Sequence, residues 1–341
     1  MRLPLVDLLK ALAAQLIVLH HLAFYGPMSD AARELAPVLI DGLSRHGRLA
    51  VQVFLVIGGF LAARILVAAG RRPEQPLLLI WRRYGRLAIP LAAALAFALA
   101  GAAFARAWWP LPSTPAAPGP LQLLAHLLLL QNLLGFEALS AGVWYVAIDF
   151  QLHALLVILL WLFRRRAALP IALLALASLF YFNRLPAWDD WALYFFAAYA
   201  MGALSYWASE RKHTLPLLAL MVAVVALALV ADFRIRIVVA LATAVLLGLT
   251  FHRLRPPPAL ARPLAFLGDV SYSVFLVHYP VCLVVNALVG RAFPGDAWAG
   301  AAGMLIAWAL SLLAGALFHR YVEKPTGIWL ARRGGLAPAA R

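Results

Sequence analysis

Long apolar stretches follow one another along the whole chain, separated by short groups of polar or charged residues. Most are about 17 to 25 residues long, the length that an α-helix needs to cross roughly 30 Å of hydrocarbon. The pattern therefore predicts an all-α, polytopic integral membrane protein with about ten transmembrane helices. We expect them at residues 5–25, 49–69, 87–107, 144–163, 167–183, 191–208, 214–231, 236–252, 264–289 and 297–318.

A further apolar segment, residues 121–136, is short, and charge decides whether it crosses. If it stays on one side, the basic clusters all lie on the same side of the membrane, as the positive-inside rule requires. If it crosses, every cluster after residue 137 moves to the outer face. We therefore expect cytoplasmic N- and C-termini and an amphipathic or re-entrant outer segment at 121–136. The clusters are at 71–72, 82–86, 164–166, 210–213, 252–255 and 332–333.

Composition supports the membrane assignment and excludes several classes of protein. The chain is 65% hydrophobic and 13% charged, with a mean hydropathy of +0.88, which leaves too little polar surface for a soluble globule. The excess of 29 Lys and Arg over 14 Asp and Glu lies beside apolar stretches, which indicates helix anchoring in a lipid bilayer and no nucleic-acid partner. Cys282 is the single cysteine, and no His/Cys spacing predicts a metal site.

The first 26 residues could be a cleaved signal peptide or the first transmembrane helix. Its positive region would be only two residues long, Asp7 and Lys10 interrupt the apolar part, and no typical cleavage site follows. We therefore interpret this segment as the first membrane span.

That first span contains a polar stripe. Lys10 and His21 are eleven residues apart and lie within about 20° of each other around a helix, and Asp7 is about 40° from His21. His20 points away by about 100°. A polar stripe inside a membrane costs several kcal/mol unless it faces partners or water, so we expect it to line an internal passage. The alternative is that these residues only lie at the two membrane interfaces.

Polar residues also interrupt later spans. Asp149 and His153 are four residues apart, so they could orient an acceptor molecule or simply neutralise each other. His278 lies within the ninth predicted span, where an ionisable side chain is a functional candidate by default. Packing of His278 against a helix carbonyl is the alternative. Asp149 and His278 are therefore candidate catalytic residues beside His21.

Six segments follow one another in a fixed order along the chain: "DLLKALAAQLIVLHH" (7–21), "GRLAVQVFLVIGGFL" (47–61), "RRYGRLAIP" (82–90), "WYVAIDFQLHALL" (144–156), "SYSVFLVHYP" (271–280) and "RYVEKP" (320–325). Together they resemble the membrane-bound acyltransferase 3 family. In the first segment, a basic residue, ten intervening positions and a histidine match the start of the family. The resemblance extends over nearly the whole chain, which predicts one acyltransferase 3 transmembrane domain at 1–330 and a cytoplasmic tail at 331–341.

The resemblance implies a multi-pass O-acyltransferase of the bacterial inner membrane. Such an enzyme takes an acyl group, usually acetyl, from cytoplasmic acyl-CoA and delivers it to a hydroxyl of a glycan or another acceptor, often on the outer side. By matched position, His21 is the essential histidine, Lys10 stands where the family commonly has arginine, and Arg83 and Arg86 form the RxxR motif. The chain departs from the family at Gly58, commonly a serine, and at Asp149, where many members have glutamate.

The chemistry of these side chains suits acyl transfer. Arginine binds phosphate well, so Arg83 and Arg86 are candidate ligands of the CoA phosphates, with Lys10 and Asp7 lining the donor's path. His21 could act as the base that takes the hydroxyl proton, or it could itself carry the acyl group. The alternative from another class is a secondary transporter or channel in which the polar stripe conducts substrate or protons. An inactive membrane scaffold would leave the stripe unexplained.

Overall fold

A computed structural model describes residues 3–68, 75–210, 214–251 and 257–333. Within this part of the chain the protein is helical and contains no β-strand. Its α-helices are α1 Pro4–Phe24, α2 Met28–Ala32, α3 Pro37–His46, α4 Ala50–Ala68, α5 Pro76–Trp108, α6 Pro120–Leu127, α7 Val143–Phe163, α8 Ala168–Phe180, α9 Ala192–Ser209, α10 Thr214–Ala231, α11 Ile235–Thr250, α12 Pro258–Ala292, α13 Ala297–Phe318 and α14 Lys324–Arg333.

Every predicted span contains one of these helices, and the all-helical membrane class is confirmed. The count of ten and the cytoplasmic termini stay predictions. The basic clusters at 71–72 and 252–255, most of the cluster at 210–213 and most of the predicted tail lie outside the described residues. Seven described segments are long and apolar enough to cross a membrane: Pro4–Phe24, Pro37–Leu66, Pro76–Trp108, Val143–Phe163, Thr214–Ala231, Ala259–Ala292 and Ala297–Arg332.

The other three predicted spans correspond to shorter or more polar helices. The apolar helical segments Ala168–Arg184 and Ile235–Thr250 fall below the length of a full crossing. α9 has 18 residues but includes tyrosine, serine and glycine among its apolar residues, and most of its length is buried. Because α9 lies inside the helix bundle, its side chains are suited to packing against protein.

The segment at 121–136 forms only the eight-residue helix α6 followed by turns. Eight residues span about 12 Å, so α6 is too short to cross a bilayer. His126 holds the segment in place: its Nδ1 lies 2.8 Å from the carbonyl of Gln122, and its Nε2 accepts a hydrogen bond from the amide of Leu139. The segment is therefore a folded connection between α5 and α7.

The bundle is organised around two buried helices. α12 packs against α1, α5 and α13, whereas α9 packs against α4, α7, α8 and α11. Contacts of α1 with α4 and of α5 with α7 join the two groups. As a result, residues of α1, α5 and α7 meet residues of α12 in the interior.

Glycines bring α4 and α9 into backbone contact. A Cβ added at Gly59 would lie 1.9 Å from the carbonyl oxygen of Tyr199, and one added at Gly202 would lie 1.9 Å from the carbonyl oxygen of Val56. Both of these oxygen atoms belong to the backbone, so any larger residue at either glycine must push the two helices apart. Close packing of these helices therefore depends on both glycines.

We predict that Gly202→Ala lowers the thermal unfolding midpoint of the detergent-solubilised protein by several degrees, because overpacking a dense interior costs about 1–3 kcal/mol. Gly42→Ala is the matched control, since a Cβ at Gly42 in α3 meets no atom within 4 Å and alanine favours helix. The midpoints are measured by size-exclusion chromatography after heating. Equal midpoints for the two variants would contradict the close α4–α9 packing.

Candidate active site

Two histidines from opposite ends of the sequence meet in the interior. His21 lies in the last turn of α1 and is half-buried, and His278 lies in the buried part of α12. Their Nδ1 and Nε2 atoms are 2.7 Å apart. The two rings are stacked, with centroids 4.9 Å apart and planes 13° from parallel. His21 therefore points at α12, away from the lipid.

The hydrogen-bond partners determine where the protons of this pair lie. Nδ1 of His278 is 2.8 Å from the carbonyl oxygen of Phe275 and 3.2 Å from that of Val274. A carbonyl only accepts, so Nδ1 of His278 carries the hydrogen, and Nε2 of the neutral ring is an acceptor. His21 must then donate from its Nδ1. This order leaves Nε2 of His21 with a free lone pair, which is what a general base requires.

The neighbouring His20 has a different environment, as its angular position predicted. Its Nδ1 lies 3.1 Å from the carbonyl oxygen of Leu43 in α3. Tyr25 instead stacks on His21 from the following turn, with ring centroids 5.7 Å apart. His20 is therefore a link between α1 and α3, and His21 is the histidine available to a substrate.

The polar face of α1 lies along α12. A Cβ added at Gly268 of α12 would lie 2.8 Å from the Cα of Asp7, while His21, four turns along α1, contacts His278. Both ends of the predicted stripe therefore face protein. Lys10 lies between them in sequence and is half-buried, like Asp7.

A buried ion pair that the sequence did not predict joins α5 to α7. Arg83 Nη2 donates to Asp149 Oδ2, and the Asp149 side chain is only 6% exposed. Asp149 therefore pairs with Arg83 of α5. Arg83 is half-buried and directed at α7, whereas Arg86 is exposed. The two arginines of the RxxR motif are thus in different environments.

The two departures from the family pattern lie side by side at this ion pair. A Cβ added at Gly58 of α4 would lie 3.3 Å from Asp149 Oδ1 and 3.1 Å from the ring of Tyr199. The Tyr199 hydroxyl is buried and has no hydrogen-bond partner among the described residues. A serine at position 58 would place a hydroxyl against the carboxylate, so the residue types at 58 and 149 share one space.

Aromatic rings connect the ion pair to the histidines. Tyr145, one turn before Asp149 on α7, interacts electrostatically with Arg83 and Asp149. Its ring contacts Phe275 with centroids 5.5 Å apart, and Phe275 contacts His278 at 6.2 Å. A continuous band of polar and aromatic side chains therefore runs from α5 and α7 through α12 to His21.

Comparison with known proteins gives one match. The acyltransferase domain profile of the acyltransferase 3 family covers residues 4–332. No curated protein and no solved structure matches the chain. The matched region includes both histidines, the buried ion pair and all seven candidate membrane spans. The chain therefore belongs to the membrane-bound acyltransferase 3 family.

Proposed function

We propose that the protein is a membrane-embedded O-acyltransferase that moves an acyl group, acetyl in the simplest case, from acyl-CoA to a hydroxyl of a glycan or related acceptor. The observation that carries this proposal is the 2.7 Å contact between Nδ1 of His21 and Nε2 of His278. Because Nε2 of His278 accepts, this contact fixes the tautomer of His21 and leaves its Nε2 as a proton acceptor. Family membership supports acyl transfer and argues against conduction as the task of the polar residues.

In direct transfer, Nε2 of His21 takes the proton of the acceptor hydroxyl while the oxygen attacks the thioester carbonyl. The carbon–sulfur bond then breaks, and the CoA thiolate leaves and recovers the proton from His21. During this step His21 is an imidazolium whose Nδ1–H still donates to His278. The hydrogen bond therefore stabilises the charge that develops on His21.

His21 could also act as an acyl relay through the same atom. Nε2 would attack the thioester, release CoA and hold the group as an acyl-imidazole until an acceptor hydroxyl arrives. The relay suits an enzyme whose donor and acceptor occupy opposite sides of the membrane. Incubation with labelled acetyl-CoA followed by rapid denaturation distinguishes the routes, because only the relay gives labelled protein.

The donor site follows from the exposure of the arginines. We infer that Arg86 binds a CoA phosphate, because its guanidinium is exposed on the N-terminal half of α5. Arg83 is engaged with Asp149, so its part in donor binding is to hold α5 against α7. Asp7 and Lys10, half-buried in the first half of α1, would line the path of the pantetheine arm towards His21. We propose that the protein lies in the bacterial inner membrane with both termini in the cytoplasm, which would put Arg86 and the first half of α1 on the side of the acyl-CoA donor.

We predict that His21→Ala reduces acyl transfer from labelled acetyl-CoA by about 100-fold or more, since a positioned base contributes about 10²–10⁴ to the rate. The assay uses membranes with matched protein levels. His46→Ala is the control, because His46 is exposed at the end of α3. Unchanged activity of the His21 variant would remove this residue from the chemistry.

His278 is expected to act as a positioning residue. We predict that His278→Leu lowers kcat about 10- to 100-fold with little change in KM, because His21 loses the acceptor that sets its tautomer. His278→Gln retains an acceptor oxygen and should recover part of the rate. If the Leu and Gln variants are equally slow while both fold, the tautomer argument is wrong.

For the donor site, we predict that Arg86→Gln raises the KM for acyl-CoA about tenfold and leaves kcat nearly unchanged, as expected when a ground-state contact to phosphate is lost. Arg262→Gln removes the same charge from an exposed position on α12 and should have no effect on KM. An equal effect of both substitutions would indicate a general loss of positive charge and would refute a specific phosphate contact.

A further inference from the structure

A cavity of about 600 Å³ opens at one end of the bundle and is not used in the proposed chemistry. It lies where α4, α7, α9 and α11 begin, which is the end of the bundle where α1 terminates with His20 and His21. Its wall combines flat aromatic rings with charged and amide side chains. The polar part of the wall includes Arg48, Gln52, Asp189, Asp190, Arg234 and Arg236.

Arg234 is a buried arginine in the wall of this cavity. The residue is 8% exposed, its Nε lies 3.3 Å from a carboxylate oxygen of Asp232, and its Nη1 donates to Asn183 at 2.8 Å. Its Nη2 is buried and has no hydrogen-bond partner among the described residues. Leaving a charged donor buried and unsatisfied is costly, so Nη2 would gain from an acceptor. Because Arg234 lines the cavity, a modest movement of its side chain would offer Nη2 to an acceptor bound there.

The electrostatics of the cavity favour an anion. α7, α9 and α11 begin at its wall, and the N-terminus of a helix carries a partial positive charge. Three arginines line the cavity against two aspartates. Partial burial and the neighbouring Asp189 carboxylate raise the pKa of Asp190, whereas a hydrogen bond with Asn132 opposes this shift. The cavity wall therefore carries a net positive charge, although Asp232 offsets part of the charge of Arg234.

Other side chains of the wall suit a carbohydrate. Trp144 and Tyr194 present flat apolar rings, and Arg236 lies over the Tyr194 ring with its guanidinium carbon 5.0 Å from the centroid. Gln52 and Asn132 can both donate to and accept from hydroxyl groups. Apolar faces combined with a few directed polar groups are typical of small-molecule pockets.

Two series of contacts connect the wall of the cavity to the histidines, which are not part of that wall. Arg48 follows Gly47, at which an added Cβ would lie 2.7 Å from the Cβ of His20. On the other side, Trp144 contacts Tyr145, whose ring is linked through Phe275 to His278. A ligand bound in the cavity would have to extend beyond it to bring a hydroxyl to His21.

We propose that this cavity binds the acyl acceptor at a sugar unit that carries an oxyanion, either a carboxylate or a phosphate, and that Arg234 is its specificity-determining contact. The inference rests on the proposed function, because it assigns the cavity to the acceptor of that reaction. The hydroxyl that receives the acyl group belongs to an adjoining part of the same acceptor. Arg48 and Arg236 add positive charge to the wall.

The test measures binding to the purified full-length protein in nanodiscs by isothermal titration calorimetry. The probes are an oligogalacturonate trisaccharide, its neutral galactose counterpart and a galactose phosphate. We expect at least one acidic probe to bind about tenfold more tightly than the neutral one, the difference that one charge-assisted hydrogen bond supplies. The tighter acidic probe identifies the carboxylate or the phosphate as the natural group. Equal binding of all three probes would overturn the proposal.

Variants locate the effect. Arg234→Gln should abolish the preference for the acidic probe, whereas Arg45→Gln, an equal charge change on exposed α3 outside the cavity, should retain it. Asp189→Asn removes a negative charge from the wall and should tighten binding of the acidic probe. A preference that survives Arg234→Gln, or an Asp189→Asn variant that binds more weakly, would refute the assignment.

Hydrolysis of acetyl-CoA by the same preparations separates this inference from the proposed function. Arg45→Gln, at a position outside both the cavity and the donor site, should leave slow hydrolysis of acetyl-CoA unchanged. Wild-type protein that binds the acidic probe but never consumes acetyl-CoA would contradict the proposed acyltransferase and support the cavity as an anionic sugar site. Protein that consumes acetyl-CoA but shows no preference for acidic sugars would contradict the cavity assignment alone.

Discussion

Every polar side chain in the interior of this protein needs a protein partner, because lipid offers none. The hydrogen bond between His21 and His278 meets that requirement and also organises the site. A backbone carbonyl of α12 sets the tautomer of His278, which in turn sets the tautomer of His21. Nδ1 of His21 is hydrogen-bonded to His278 of α12, and Nε2 of His21 remains available to a substrate. Structure and proposed chemistry therefore depend on one interaction.

The Arg83–Asp149 pair applies the same constraint to α5 and α7. Removing either partner would leave a buried charge without compensation, a situation that costs about 3–5 kcal/mol. Because Gly58 leaves room for the carboxylate at this point, residues of α4, α5 and α7 are fitted to one another.

Length and apolarity of the segments were sufficient to predict where the helices lie, because hydrocarbon thickness imposes a minimum length on each crossing. Helical periodicity also separated His21 from His20, since that argument uses only residues within one helix. It could not find the partners of His21 or Asp149, which are 257 and 66 residues away in sequence. The cavity around Arg234 was equally hidden, because its wall comes from several separate helix starts. Local sequence patterns thus predicted the helices, whereas the contacts between helices could be found only in the three-dimensional structure.

If the cavity binds the acceptor, its separation from the histidine pair has a consequence for the product. An acceptor gripped at one point and modified at another must extend over both, so an isolated monosaccharide would be a poor substrate. On a polymer with a regular repeat, the fixed distance between the cavity and His21 would set the spacing between each acidic sugar and the sugar that is acylated. The acylation pattern of such a glycan would then report the distance between the two sites in the protein.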